Sequence, residues 1–238
     1  LASFKTAEIP FLLMVFRTAV ETLSVTHLSS SGTKKRFLII FASKRRLVLF
    51  SAFETLLPNI TFFPLIWKTF DIMKDKVIRK SKTRVFSLLN IVGSGMVMDG
   101  EQNVSDMDAE ATAEKIKERK DMLVGVKVAH FEANSWEAIK RGKKAAENSG
   151  TFMMVDQNPI SGRNMKELLT KYMTSGDILT HVYAWGKPIL DRNNKVYDYF
   201  FDARKKGIIF DLGHGAGSFS FSMAKPAIEQ GFLPDTIS

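Results

Sequence analysis

Cysteine is absent from the 238 residues, so disulfides and thiolate metal sites are excluded, and a reducing, cytoplasmic setting is the expected one. Histidine is scarce: there are four, and no two stand as His-x-His. Glycine is nearly missing from the first 70 residues, which hold only Gly32 of the 15. Acidic residues are sparse in the same stretch, three against nine Lys and Arg, so it carries +6 of the formal +9. The other 168 residues carry only +3, and the basic clusters at Lys34–Arg36 and Lys44–Arg46 lack an interleaved aromatic platform. A nucleic-acid partner is therefore not expected. No apolar run is clean enough to span a bilayer: Leu47–Trp67 has the length but includes Glu54, Pro58, Asn59 and Pro64. The amino terminus also lacks the basic, apolar, small-residue order of a cleaved signal.

What is present divides near residue 70. Residues 1–70 hold ten of the 19 phenylalanines without a helical or strand period, and read as an irregular basic leader that need not be native to the rest. Residues 71–238 are regular. Strands are expected at Thr83–Val92, Met122–Ala129, Phe152–Val155, Asp177–Tyr183 and Gly207–Leu212, with another beginning at Thr236. Helices are expected from Asp108 to Ile116, over Trp136–Asn148 with Gly150 as cap, and over Asn164–Tyr172 and Val196–Lys206. Strands alternating with helices mean βα units and a parallel sheet. The pattern alone suits part of a (β/α)₈ barrel with outer helices or a doubly wound sheet, and leaves both open.

Four chemistry-bearing residues recur at the strand ends: Lys127, Asp156, His181 and His214. Lys127 lies inside the apolar run Leu123–Ala129, where an ammonium is costly unless paired or modified. Its plain alternative is a sheet-edge lysine reaching solvent. Its functional alternative is a carbamylated amine, whose carboxylate bridges two hard metal ions. His181 reads either as a hydrogen-bonded core imidazole or as a ligand. His130 has three readings: substrate contact, added ligand, or surface residue. The longest signal is Gly207–Ala224, a buried strand, a glycine-dense turn around His214, and a second element after it.

Two resemblances attach to that stretch. Phe210–Gly217 looks like the nucleotide loop of class I methyltransferases, which would bind S-adenosylmethionine, although only 21 residues follow Gly217. Four strings in order more closely resemble the deacetylase/dihydroorotase-like branch of the amidohydrolase superfamily: Asn90–Gly95, Val124–Lys127, Gly176–His181 and Gly207–Phe221. This resemblance covers about residues 71–238 and implies a partial (β/α)₈ barrel. It implies hydrolysis of an amide or ester by a metal-bound hydroxide, with Zn²⁺ as the expected ion and two ions in an intact family member. Lys127 and His181 match metal-binding positions, Asp156 stands where a histidine is common, and His214, Gly215 and His130 fall to substrate. Small N-acyl or cyclic amides are the implied substrates, and oligomerisation is left open. The family's His-x-His pair does not occur here, and its last-strand aspartate would follow Ser238, so the chain reads as the middle of such a protein. A non-catalytic piece is the third alternative.

Overall fold

The computed structural model describes residues 70–237, apart from Thr83, Met96, Val97, 158–160, Pro188 and 215–217. The expected leader, Phe70 excepted, and the expected substrate residue Gly215 therefore lie outside the described residues. The elements in chain order are α1 (Phe70–Lys76), β1 (Ser87–Asn90), α2 (Ala109–Glu118), β2 (Leu123–Ala129), α3 (Glu137–Ser149), β3 (Phe152–Asp156), the short α4 (Met165–Glu167), β4 (Ile178–Leu179), α5 (Asp198–Lys205), β5 (Ile209–Phe210) and α6 (Phe221–Glu229). A turn of π-helix, Leu168–Tyr172, continues α4. None of the described helices is long and apolar enough to cross a membrane.

The five strands form one sheet in the order β1-β2-β3-β4-β5, every pair parallel. Spatial order thus follows chain order. A doubly wound sheet reverses its strand order at a switch point, whereas a barrel adds each strand beside the last, so the barrel alternative holds. The sheet is open, and an isolated parallel bridge between Asp211 and Thr236 marks the next strand position beside β5.

Strand alternation assigns the two faces. Leu89, Val126, Val128, Met153, Val155, Leu179 and Phe210 join the large core shared with the helices. Leu88, Met154 and Ile178 form a second, smaller cluster on the other face, with Phe152 and Ile209 against it. Side chains alternate with period two, so Lys127, Asp156, Thr180 and Asp211 emerge on the small-cluster face, opposite the helices. A one-residue slip would bury their charges in the helix-facing core, which fixes the register firmly.

Local chemistry sets the helix ends. Asp108 caps α2 by accepting the Glu110 and Ala111 N–H groups, both at 3.0 Å. Gly150 closes α3 in the left-handed region at φ 66°, where its N–H reaches the Ala146 and Glu147 carbonyls. Helix α3 packs on β2 and β3. Gly142 permits the close approach, because a Cβ there would stand 2.3 Å from Val128 Cγ2.

Three expected strands are shorter than the runs that suggest them, and within Thr83–Val92 the strand is Ser87–Asn90. Within Asp177–Tyr183 only Ile178–Leu179 is strand, because Val182 and Tyr183 are buried in a turn, where the Tyr183 hydroxyl donates to the Phe232 carbonyl. Within Gly207–Leu212 the strand is Ile209–Phe210. The element after the glycine turn is a helix, α6, despite Pro226 inside it.

Candidate active site

Parallel register brings the strand ends level. Ala129 pairs with Asp156, Val155 with Leu179, and Leu179 with Phe210, so the residues just beyond them share one rim. Asp156 is the hub. Its carboxylate is buried, its Oδ1 accepts from Lys187 Nζ at 2.9 Å, and its Oδ2 faces His181 Nε2 at 3.2 Å and His130 Nε2 at 3.4 Å. Burial pushes the Asp156 carboxyl up, but Lys187, His130 and His181 outweigh it and hold the group well below the usual carboxylate range.

Each group around the hub is anchored from behind. His181, at φ 58°, has Nδ1 2.6 Å from the Gly213 carbonyl oxygen, which only an N–H can approach so closely. Gly213 permits this contact: a Cβ there would lie 2.2 Å from His181 Nδ1, and its own φ is 54°. His130 has Nδ1 3.2 and 3.1 Å from the two oxygens of Glu101, a residue only 3% exposed. Its backbone carbonyl accepts from Gln102 Nε2 at 3.0 Å, while the Gln102 side-chain oxygen accepts the Glu132 N–H at 2.8 Å. Hydrogen bonds to Asp156 and Glu101, opposed by burial, push the His130 imidazole up to about 9. Lys187 also donates to the Thr180 carbonyl at 3.2 Å.

Lys127 sits in the interior of β2, 2% exposed, on the same face as this cluster. Burial pulls its amine below the ordinary lysine range; the carboxylates of Asp156, Asp211 and Glu101 oppose that shift, and Lys187 adds to it. It is not a sheet-edge lysine, since β2 has neighbours on both sides. In register beside it on β1 is Asn90, whose side-chain oxygen accepts the Val92 N–H and whose buried Nδ2 has no acceptor among the described residues. Asp211 is committed to structure: Oδ2 accepts from Thr180 Oγ1 at 2.5 Å and Oδ1 from Thr236 Oγ1 at 2.8 Å.

The expected residues Lys127, Asp156 and His181 are thus brought together, and His130 joins them. His214 stands apart from the hub, exposed, with its ring 5.0 Å from that of Phe219. Lys187 and Glu101 are additions that sequence reasoning missed. Gly186-Lys187-Pro188, six residues beyond His181, was the available signal for the first; nothing local marks Glu101.

No protein-family model matches the sequence. The chain is 30% identical over 168 residues to a deacetylase of Enterococcus faecalis, a match spanning 67% of this chain and 45% of that protein. It is also 30% identical over 177 residues to a deacetylase of Brucella anthropi, spanning 69% of this chain and 43% of the relative. Among solved structures, an adenine deaminase superposes with TM-score 0.65 and 30% identity, over 74% of this chain and 50% of that one. The matched part of the chain belongs to the amidohydrolase superfamily. A dihydroorotase structure aligns with TM-score 0.60 and 26% identity, over 74% of this chain and 48% of the other. The chain spans less than half the length of these curated relatives. The amidohydrolase strings run through β1, β2, β4 and β5, and the sheet is an open part of the barrel. The methyltransferase resemblance of Phe210–Gly217 gains no support from a sheet whose strand order never reverses.

Amidohydrolases of this kind are generally metal-dependent. The donor chemistry here suits a cation: His181 commits Nδ1 to a carbonyl, which leaves Nε2 facing the Asp156 carboxylate. Lys187 holds Asp156 Oδ1, so Oδ2 is the oxygen available to an ion. Among the described residues no three carboxylate or imidazole groups already enclose one ion-sized point.

Proposed function

We propose that this chain carries the central part of the active site of a metal-dependent amidohydrolase acting on small-molecule amides, with deacetylation as the specific reaction. The observation that carries the reading is that Asp156 and His181 meet at neighbouring strand ends, with Lys127 buried on the same face of the sheet, towards the end where barrel enzymes place catalysis. Asp156 and His181 are the ligands, and Lys127, once carbamylated, is a further one. A bound divalent ion such as Zn²⁺ would supply Lewis acidity and lower the pKa of water.

The chain's own residues do the rest. Burial disfavours the Lys127 ammonium, and the neutral amine is the form that adds carbon dioxide to give a carbamate. Asn90, in register with it, brings a buried amide donor in want of an acceptor, which a carbamate oxygen would supply. Lys187 fixes Asp156 by one oxygen and keeps the other turned to His181. His214, exposed at the turn after β5 and apart from the hub, is taken as a substrate contact rather than a ligand.

The test is acetate release from a panel of N-acetyl compounds, and ring opening of a panel of lactams, with Zn²⁺ and bicarbonate added. The sequence holds no His-x-His pair, so the expected turnover is slow, well under ~1 s⁻¹. It should be abolished by a chelator and by His181→Asn or Asp156→Asn. Hydrolysis that survives either treatment would contradict the reading.

A further inference from the structure

The loop after β4 is tied to Asp156 at two points. His181 opens it, with Nε2 3.2 Å from Asp156 Oδ2, and Lys187 comes six residues later, with Nζ 2.9 Å from Oδ1. The chain between them is fixed. Val182 N–H donates to the Asp211 carbonyl at 3.1 Å, Ala184 N–H to the His181 carbonyl at 2.9 Å, and Lys187 N–H to the Ala184 carbonyl at 3.2 Å. Val182, Tyr183 and Ala184 are buried, and so is Lys187. The large side chain this segment presents to solvent is Trp185, 78% exposed, followed by Gly186 at φ 82°.

Two residues of chain span at most about 7 Å, so Trp185 stands close behind the lysine whose ammonium touches the hub. A second aromatic group lies on the neighbouring loop. Ser220 N–H donates to the Tyr183 carbonyl at 3.0 Å, which stitches the loop after β4 to the one after β5. There the Phe219 ring meets those of His214 and Phe221, each with centroids 5.0 Å away. A tryptophan carries about 150–250 Å² of surface that binding can cover. Left in water on a rigid backbone, most of that surface contributes nothing to folding. Small-molecule sites divide their work in the same way: a few polar groups orient the reacting bond, and aromatic faces supply contact area.

Given the amidohydrolase reading, on which this rests, we infer that Trp185 is a substrate-contacting residue that sets specificity, favouring small N-acyl amines whose amine part carries a flat ring. An acetyl group offers the indole too little to cover, so the ring belongs to the amine half. The amide carbonyl faces the polar groups around Asp156, and the ring lies on the indole, offset or edge-on.

The test is titration calorimetry of wild type, Trp185→Ala and Trp185→Phe with two probes, N-acetylbenzylamine and N-acetylcyclohexylmethylamine. Their amine halves share one carbon skeleton, flat in the first and puckered in the second. Because Trp185 is exposed, both variants should melt as wild type does. Wild type is expected to bind the benzyl probe more tightly than the cyclohexyl one. Trp185→Ala should weaken benzyl binding about tenfold and erase the preference, and Trp185→Phe should keep it. Equal benzyl affinity in wild type and Trp185→Ala, or no benzyl binding by wild type, would overturn the role of Trp185. Unchanged affinity together with a smaller oligomer in Trp185→Ala, by sedimentation, would assign the indole to a second copy of the chain and overturn it too. Acetate release from the benzyl probe separates this from the underlying reading. Turnover whose KM is the same in Trp185→Ala would overturn the role of Trp185 alone. Ring-selective binding that depends on Trp185, without turnover, would support the contact and count against the amidohydrolase reading.

Discussion

A single carboxylate, Asp156, collects one ammonium and two imidazoles, and its neighbours differ in what their removal should do. Lys187 is buried and bonded to Asp156 Oδ1, so Lys187→Met leaves an anion short of its nearest cation. Breaking a buried pair from one side costs about 3–5 kcal/mol, and the two imidazoles that remain should bring the loss toward the lower figure. Urea denaturation measures it, and the double variant Lys187→Met/Asp156→Asn should lose less than the sum of the two single changes. Gly213→Ala should act on the site without touching a charge. The added methyl would meet His181 Nδ1 at 2.2 Å and Thr180 Oγ1 at 2.5 Å, so the imidazole must leave its place. Metal uptake in Gly213→Ala should fall; uptake equal to wild type would show that the Gly213 contact does not orient His181. At this scale the sequence was informative about Lys127, Asp156 and His181, because each interrupts or ends an apolar run. It was silent on Glu101 and held only a weak sign of Lys187, because Glu101 reaches His130 across 29 residues of chain and Lys187 reaches Asp156 across 31.

Among the elements, α3 and the strands beneath it show how packing overrides propensity. Gly142 lies mid-helix, where alanine would be better by about 1 kcal/mol. A methyl there would overlap Val128 Cγ2 at 2.3 Å, and overpacking typically costs about 1–3 kcal/mol. Gly142→Ala is therefore expected to be neutral or destabilising, and a raised melting temperature would contradict the close contact. Asp177 plays the complementary part at the other end of the sheet: it accepts the Met153 N–H at 2.9 Å, the Thr174 N–H at 2.8 Å and Lys143 Nζ at 2.7 Å. Asp177→Ala strands those donors and should cost more than the ~1.5–3 kcal/mol usual for one charged hydrogen bond, as read from the denaturation midpoint. The order and type of these elements were legible from period and capping, down to Gly150. The lengths of β4 and β5 were not, because apolar residues continue past the last ladder hydrogen bond into buried turns, and composition does not distinguish a buried turn from a buried strand.

Over the whole molecule, the consecutive strand order is what separates a barrel from a doubly wound sheet, and a local pattern of strands and helices carries no information about it. The rim cluster joins the loops after β2, β3 and β4, so an ion bound there should stabilise the folded chain as a unit. At free Zn²⁺ one hundred times Kd, linkage gives about 2.7 kcal/mol. At about 2–4 °C per kcal/mol for a chain of this size, the melting temperature should rise by roughly 5–10 °C. The rise should vanish in His181→Asn, and a rise that persists there would place the ion elsewhere.

The strand-end cluster around Asp156 is proposed as the cation site of an amidohydrolase. Anomalous diffraction at the zinc edge, from crystals of this chain grown with Zn²⁺, tests it most directly. One peak is expected within bonding distance, about 2.0–2.2 Å, of both Asp156 Oδ2 and His181 Nε2. A cluster that keeps its ion pairs with no peak at Asp156, or with peaks only at other histidines, would contradict it.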